Sequence, residues 1–160
     1  MKMGGSQIIL AQTHIVWASL LDAEVLKASI PGCQEVVGSV EDGFEAIVVQ
    51  KVGPVKATFK GNVVFEQMHP PETLVLRGEG KGGVAGFAKG SANVKLTPDA
   101  DGTLLEYEVE AQIGGKLAQL GSRIIDGFAK KMADQFFVRF KSIVESETTG
   151  EQILAHRGRE

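Results

Sequence analysis

A single cysteine in 160 residues, Cys33, excludes an internal disulfide and fits a reducing compartment. Long apolar runs are missing too: nowhere do the roughly eighteen uncharged residues of a membrane span follow one another, so none is expected. The opening Met-Lys-Met-Gly-Gly-Ser lacks the apolar core of a signal peptide, and a cytoplasmic location is expected. Charge of one sign is not in excess, because 17 basic and 20 acidic residues mix along the chain to a net charge of -3. With no basic stripe, a nucleic-acid partner is not expected. His14, His69 and His156 stand in unrelated contexts, and Cys33 has no nearby partner, so neither a metal site nor a cofactor is expected. No G-x-S-x-G elbow exists, and Ser91 and Ser122 have no local base signature. These absences leave little for catalysis, and a non-enzyme is expected.

What the chain does contain is two contrasting periodicities. From Gly114 to Val144, Leu117, Leu120, Ile124, Phe128, Met132, Gln135, Phe136, Phe140 and Ile143 recur every three or four residues, the spacing of one long amphipathic helix. From Cys33 to Ile113 apolar and polar residues alternate between Gly- and Pro-rich turns, which predicts an antiparallel sheet with one buried face. Strands are predicted at 6–12, 34–40, 44–52, 55–66, 73–78, 84–96 and 103–113, with two short helices after Thr13 and Asp22, both placed to act as caps. The second helix must end near Ser29, since Pro31 disfavours helical geometry in the residue before it. At 43% hydrophobic residues the chain suits one domain, residues 1–145, with a short polar tail at 146–160 that begins with a loop at Ser146–Gly150. The fold class is α+β: a seven-stranded antiparallel sheet in the order β-α-α-β6-α, wrapped around a long C-terminal helix as in the helix-grip fold.

Gly78-Glu79-Gly80-Lys81-Gly82-Gly83 matches the G-x-G-x-x-G spacing of a dinucleotide loop, but Val84 to Leu96 reads as a strand, and a phosphate cradle needs a helix there. The glycines instead suit a sharply bent hairpin. Glu106, Glu108 and Glu110 alternate with Leu105, Tyr107 and Val109 and are expected on a solvated face. Arg77 and Lys89 fall mid-strand, more readily at the surface than as inward anchors.

Five segments resemble one family: Val16 to Cys33, Val52 to Val55, Gly86 to Gly90, Gly102 to Tyr107 and Gly114 to Arg123 are similar, in this order, to the CoxG family of accessory proteins of molybdenum carbon monoxide dehydrogenases. The resemblance covers residues 6 to 144. It implies a START-like domain of the hydrophobic-ligand-binding kind and a role beside a molybdenum hydroxylase. A quinone or lipid-like guest is the ligand expected here, because a hydroxylase passing electrons to a membrane pool needs an apolar carrier, and a peripheral contact with the inner membrane face is a further expectation. Longer relatives carry a linker and a membrane-anchoring segment after the last helix, and this chain is expected to lack one. The small residues Gly86, Ala88, Gly90 and Ala92 would then leave room for a guest opposite Phe128 and Met132. The expected ligand-binding set is Trp17, Leu20, Phe59, Ala88, Gly90, Tyr107, Val109, Leu120, Ile124, Phe128 and Met132, with Trp17 and Leu20 closing one mouth and the Tyr107 hydroxyl fixing a ligand carbonyl. An assembly or recruitment factor without a ligand, and a cyclase- or dehydratase-like enzyme, are the other readings.

Overall fold

Turns too short for a crossover force consecutive strands to lie antiparallel, and the computed structural model shows that arrangement throughout. The structure describes the backbone of residues 1–159 and the side chains of residues 1–146. The elements are β1 (Lys2–Ile9), α1 (Thr13–Leu20), α2 (Ala23–Ser29), β2 (Cys33–Ser39), β3 (Gly43–Val52), β4 (Val55–His69), β5 (Thr73–Lys81), β6 (Phe87–Asp99), β7 (Gly102–Gly114), α3 (Lys116–Gln119) and α4 (Ser122–Arg159). One seven-stranded sheet has the order β1-β7-β6-β5-β4-β3-β2, a meander from β2 to β7 with β1 returning beside β7. The helix-grip architecture read from the sequence is the one observed.

Several boundaries differ for identifiable reasons. Strand β1 starts at Lys2 rather than Ser6, because pairing with β7 from Lys2↔Glu110 to Ile9↔Thr103 outweighs the poor strand propensity of Gly4 and Gly5. It ends where the Ala11 amide donates back to the Ile9 carbonyl, 2.8 Å away. Thr13 is the first residue of α1 rather than its cap; its hydroxyl meets that of buried Thr103 at 3.3 Å, which itself donates to the Ala11 carbonyl. Asp22 does cap α2, one carboxylate oxygen accepting from the amides of Glu24 and Val25. Strand β6 starts at Phe87, not Val84. Residues 83–85 form a 3-10 turn, and Gly86 takes φ +113° with Gly114 so close that no side chain fits between them. No helix follows the glycine run, so it is not a phosphate cradle. The expected loop at 146–150 lies within the backbone span of α4, and the side chains of the polar tail beyond Ser146 lie outside the described residues.

The C-terminal helical region is two helices, separated at Gly121, whose φ of +88° breaks the ladder. This break changes the phase of the apolar stripe. Counting across it placed Ile124 and Gln135 inward; instead Ile124 is 42% exposed, Gln135 is exposed, and Ile125, Phe137, Phe140 and Val144 are buried. Helix α4 packs on α1 and α2 and, on the sheet, on the edge strand β1 and on β3.

The core falls into two clusters. The larger holds Ile9, Val16, Trp17, Leu20, Leu74, Leu96, Leu105, Phe137, Phe140 and Val144, the last three from the middle of α4. The smaller holds Val52, Leu117 and Ile125, with Phe59, Ile113, Leu120 and Phe128 packed on it. The inner face of the sheet between them carries mostly small side chains: Ala46, Gly61, Gly80, Ala88 and Ala111.

Candidate functional site

A sheet that presents glycine and alanine to a helix standing off it cannot close the space between, and a void is the consequence. It measures about 280 Å3, and its walls are entirely apolar. Phe59 and Val52 form one side, Gly80, Ala88 and Ala111 the floor, and Ile125, Phe128 and Met132 of α4 the roof. Gln50 contributes only its stem, since its amide nitrogen donates to the Pro31 carbonyl. No acidic or basic side chain lines it. A second depression of about 270 Å3 continues along β5, β6 and β7, sharing Ala88 and Ala111 and reaching Leu76, Ala92 and Val109.

The floor glycines are not equivalent. A Cβ added at Gly80 would meet nothing within 4 Å, so that position faces open space. At Gly90 it would lie 2.1 Å from the Glu110 carbonyl oxygen, so Gly90 serves close backbone approach between β6 and β7.

Of the eleven residues expected at the site, Phe59, Ala88, Phe128 and Met132 line the void, and Gly90 and Val109 join Ala88 in the adjoining depression. Leu120 and Ile124 sit over Gly53 at the β3–β4 turn, where a Cβ would stand 3.8 Å and 3.6 Å from them, at the end of the void rather than inside it. Trp17 and Leu20 are placed elsewhere: both are buried in the larger cluster and do not line the void. The reason is that α1 packs over the end of the sheet where β6 meets β7, away from the small-residue floor. Gly80, Ile113, Leu117 and Ile125 were not among the expected residues. Gly80 and Ile113 were legible from the alternation, whereas Ile125 was masked by the break at Gly121.

Tyr107 stacks on Phe137, with ring centroids 5.1 Å apart and planes at 28°. It lines a separate slot of about 400 Å3 between the β1 edge and α4, beside Asp126, Lys130 and Asp134. Gly5 gives the phenol its room, since a Cβ there would stand 2.7 Å from the hydroxyl oxygen. Burial, and secondarily the Asp134 carboxylate, push the Tyr107 pKa above the ordinary tyrosine value. Burial likewise raises the Cys33 thiol, against the lowering effects of its contact with the Glu35 carbonyl and of Lys27. Arg77 lies on the outer face, its Nε 2.6 Å from Glu66 Oε2. Lys89 and Glu106, Glu108 and Glu110 are also exposed there. Among the described residues no three His, Cys, Asp or Glu side chains are grouped to hold a metal, and no helix is long and apolar enough to cross a membrane.

One antiparallel sheet, one long helix and an apolar void between them define an α+β domain of the helix-grip, START-like class. Solved structures share this architecture. A conserved protein from Geobacillus kaustophilus superposes with a TM-score of 0.84 at 28% identity, covering 91% of this chain and 96% of that one. The di-domain aromatase/cyclase StfQ of the steffimycin pathway superposes at 0.63 with 14% identity, over 91% of this chain and 51% of that one, a likeness of fold alone. Residues 5–145 match the model of the carbon monoxide dehydrogenase CoxG family, and the chain belongs to this family. An inositol 2-dehydrogenase of Rhodococcus erythropolis is 27% identical over 155 residues, 97% of this chain; the chain spans only 37% of that relative's length.

Proposed function

We propose that this protein is an accessory protein of a molybdenum hydroxylase of the carbon monoxide dehydrogenase type, and that it binds a hydrophobic small molecule, an isoprenoid quinone. Family membership supports the accessory role. The observation that carries the ligand is the void of about 280 Å3 with purely apolar walls, left open beside the smaller core cluster whose Val52, Leu117 and Ile125 line it. A cavity of about 150 Å3 is enough to hold benzene. This one suits a methylated ring or several isoprenoid carbons, the rest of a long guest continuing along the depression past Val109.

Quinone carbonyls find no partner inside the void. Tyr107 is two inward-facing positions beyond Ala111, about 13 Å along β7 at strand rise. Its hydroxyl is the donor proposed for a carbonyl, with the chain of the guest lying in the void. Trp17 and Leu20 are not included in this site. Leu120 and Ile124 are assigned to its rim.

The protein's role is binding without catalysis of its own. A cyclase-like reaction needs acid or base groups at the reacting atoms, and the void has no such side chain. A pure assembly factor would need no void; the open space at Gly80 favours a guest.

The test is calorimetric titration with a short-chain quinone analogue, alongside mass spectrometry of the purified protein for a co-purifying quinone. Ala88→Phe and Gly80→Leu should abolish binding while keeping the melting temperature near that of the wild type, because they fill existing space. Tyr107→Phe should weaken binding about fivefold to tenfold, the worth of one hydrogen bond. Gly90→Leu is not a usable filler, since it collides with backbone and should unfold the protein. Absence of saturable binding by the wild type would overturn the ligand assignment.

A further inference from the structure

A sheet that does not close on itself has two edges, and here they differ. At one edge β2 is bulged between Cys33 and Glu35, and α2 packs on it. At the other, β1 runs eight residues in unbroken register with β7, contains no proline and has Lys2 as its only charge. Its hydrogen bonding can be followed residue by residue. Met1 and Ala111 exchange both bonds, nitrogen to carbonyl oxygen at 2.9 Å in each direction. Bonded pairs alternate along an antiparallel ladder, so Met3, Gly5, Gln7 and Ile9 also face β7, and the amides and carbonyls of Lys2, Gly4, Ser6 and Ile8 point away from the sheet. All four residues are exposed, and among the described residues no strand pairs with that side. At Leu10, just beyond, the amide donates to the Glu145 carboxylate at 3.0 Å, so α4 closes the edge there.

The surroundings of this edge are acidic on both faces. Gly4 and Gly5 have no side chains, so groups of β7 reach across them: a Cβ at Gly4 would stand 3.6 Å from Glu108 Cγ, and one at Gly5 would meet the Tyr107 hydroxyl. The slot of about 400 Å3 follows Met1 to Gln7 along the edge, with Asp126 and Asp134 on its helix side. On the outer face a depression of about 450 Å3 is lined by Gly4, Gly5, Glu106 and Glu108. Three lysines stand among these carboxylates. Lys2 is 3.4 Å from Glu110, Lys95 lies across from Glu106 in the β6–β7 register, and Lys130 is one turn of α4 from both Asp126 and Asp134. Matching each lysine to one acid leaves Glu108 over on the outer face and one aspartate over in the slot.

We propose that β1 is a docking edge, which accepts an extended basic segment of a partner protein as a further strand of the sheet. The backbone of that segment pairs with Lys2, Gly4, Ser6 and Ile8. Its side chains alternate between the two faces, so Lys or Arg on one side meets Asp126 and Asp134 in the slot, and Lys or Arg on the other meets Glu108 over Gly4. This is strand addition, in which main-chain bonds supply affinity and alternate side chains supply specificity. A second copy of this chain is the poorer occupant, because two β1 edges paired about a two-fold axis bring the same carboxylates face to face. The inference does not rest on the apolar-ligand reading above.

The experiment is calorimetric titration of the full chain with a capped peptide, Thr-Lys-Arg-Val-Lys-Arg-Thr, which as a strand carries bases on both faces. The controls are the same peptide with Glu for every base, and two basic peptides N-methylated at alternate amides, one in each phase, so that one of them blocks the amides that pair. The basic peptide should bind and the acidic one should not. One N-methylated peptide should fail while the other binds, a difference that charge alone does not produce. Ser6→Pro removes an outward amide at an edge position where proline is tolerated and should weaken binding about tenfold. Asp126→Lys/Asp134→Lys should weaken it about tenfold as well and flatten its salt dependence. Glu108→Lys should weaken it without touching the backbone, so failure of Ser6→Pro to fold leaves the test intact. Failure of the wild type to bind the basic peptide, or equal binding of the two N-methylated peptides, overturns the proposal. A wild-type dimer in sedimentation that Ser6→Pro dissociates overturns it in favour of a second copy on this edge.

Discussion

Two serines in adjacent helices show how much a single hydroxyl depends on its partner. Ser19 is buried and donates to the Ile15 carbonyl at 2.8 Å, whereas Ser29, at 0% exposure, has no partner for its hydroxyl. An unsatisfied buried hydroxyl costs about 1 to 3 kcal/mol in desolvation. Ser29→Ala should therefore leave stability unchanged or raise it by about 1 kcal/mol, and Ser19→Ala should give no such gain, both read by urea denaturation. Tyr107 offers a second test, because it is the only tyrosine and titrates alone. Its absorbance midpoint should lie above the ordinary value of about 10. Desolvation is the larger cause, so Asp134→Asn should move the midpoint back only in part. With the folded pKa raised, the stability it contributes is complete below the unfolded tyrosine value and is lost as pH rises through the folded one. The fall should be absent in Tyr107→Phe.

Helix α4 does two jobs along its length. Its middle turns close a packed core, where Phe140 is fully buried, stacked on Phe136 with centroids 5.6 Å apart and in edge contact with Phe137. Its first turns roof a void, where Phe128 is only half-buried. The same substitution should thus have unequal effects: Phe140→Ala should cost about 3 to 5 kcal/mol, and Phe128→Ala less than about 3, since it enlarges space already empty. Equal costs, measured by chemical denaturation, would mean that the void is closed in solution. The joint at Gly121 makes this division possible, because it lets α3 seat Leu117 in the smaller cluster while α4 begins in a new phase. Gly121→Ala, at φ +88°, forces a side chain into a left-handed backbone and should destabilise the protein by about 1 kcal/mol.

For the whole molecule, a guest in the void would add packing against the smaller cluster that lines it. A ligand that binds only the folded state stabilises it by about 2.7 kcal/mol at a hundredfold excess over Kd. The quinone analogue should accordingly raise the melting temperature in proportion to the logarithm of its concentration, and Ala88→Phe should remove that dependence. A shift equal in both proteins would place the binding site elsewhere.

By itself the sequence determined the architecture, because its signals are local. Alternation over 34–113 and the three- and four-residue spacing after Gly114 are set by the periods of strand and helix, and Pro31, Gly53-Pro54 and Asp22 mark ends through their own backbone chemistry. It also made Phe59, Ala88, Phe128 and Met132 legible, since small and large residues on facing rows imply unfilled volume. Tertiary structure decided the rest. Whether a glycine faces open space, as Gly80 does, or a carbonyl oxygen, as Gly90 does, depends on how strands bend. That Trp17 and Leu20 fall in the closed core, and Ile125 rather than Ile124 over the void, depends on where α1 lands and on the phase reset at Gly121.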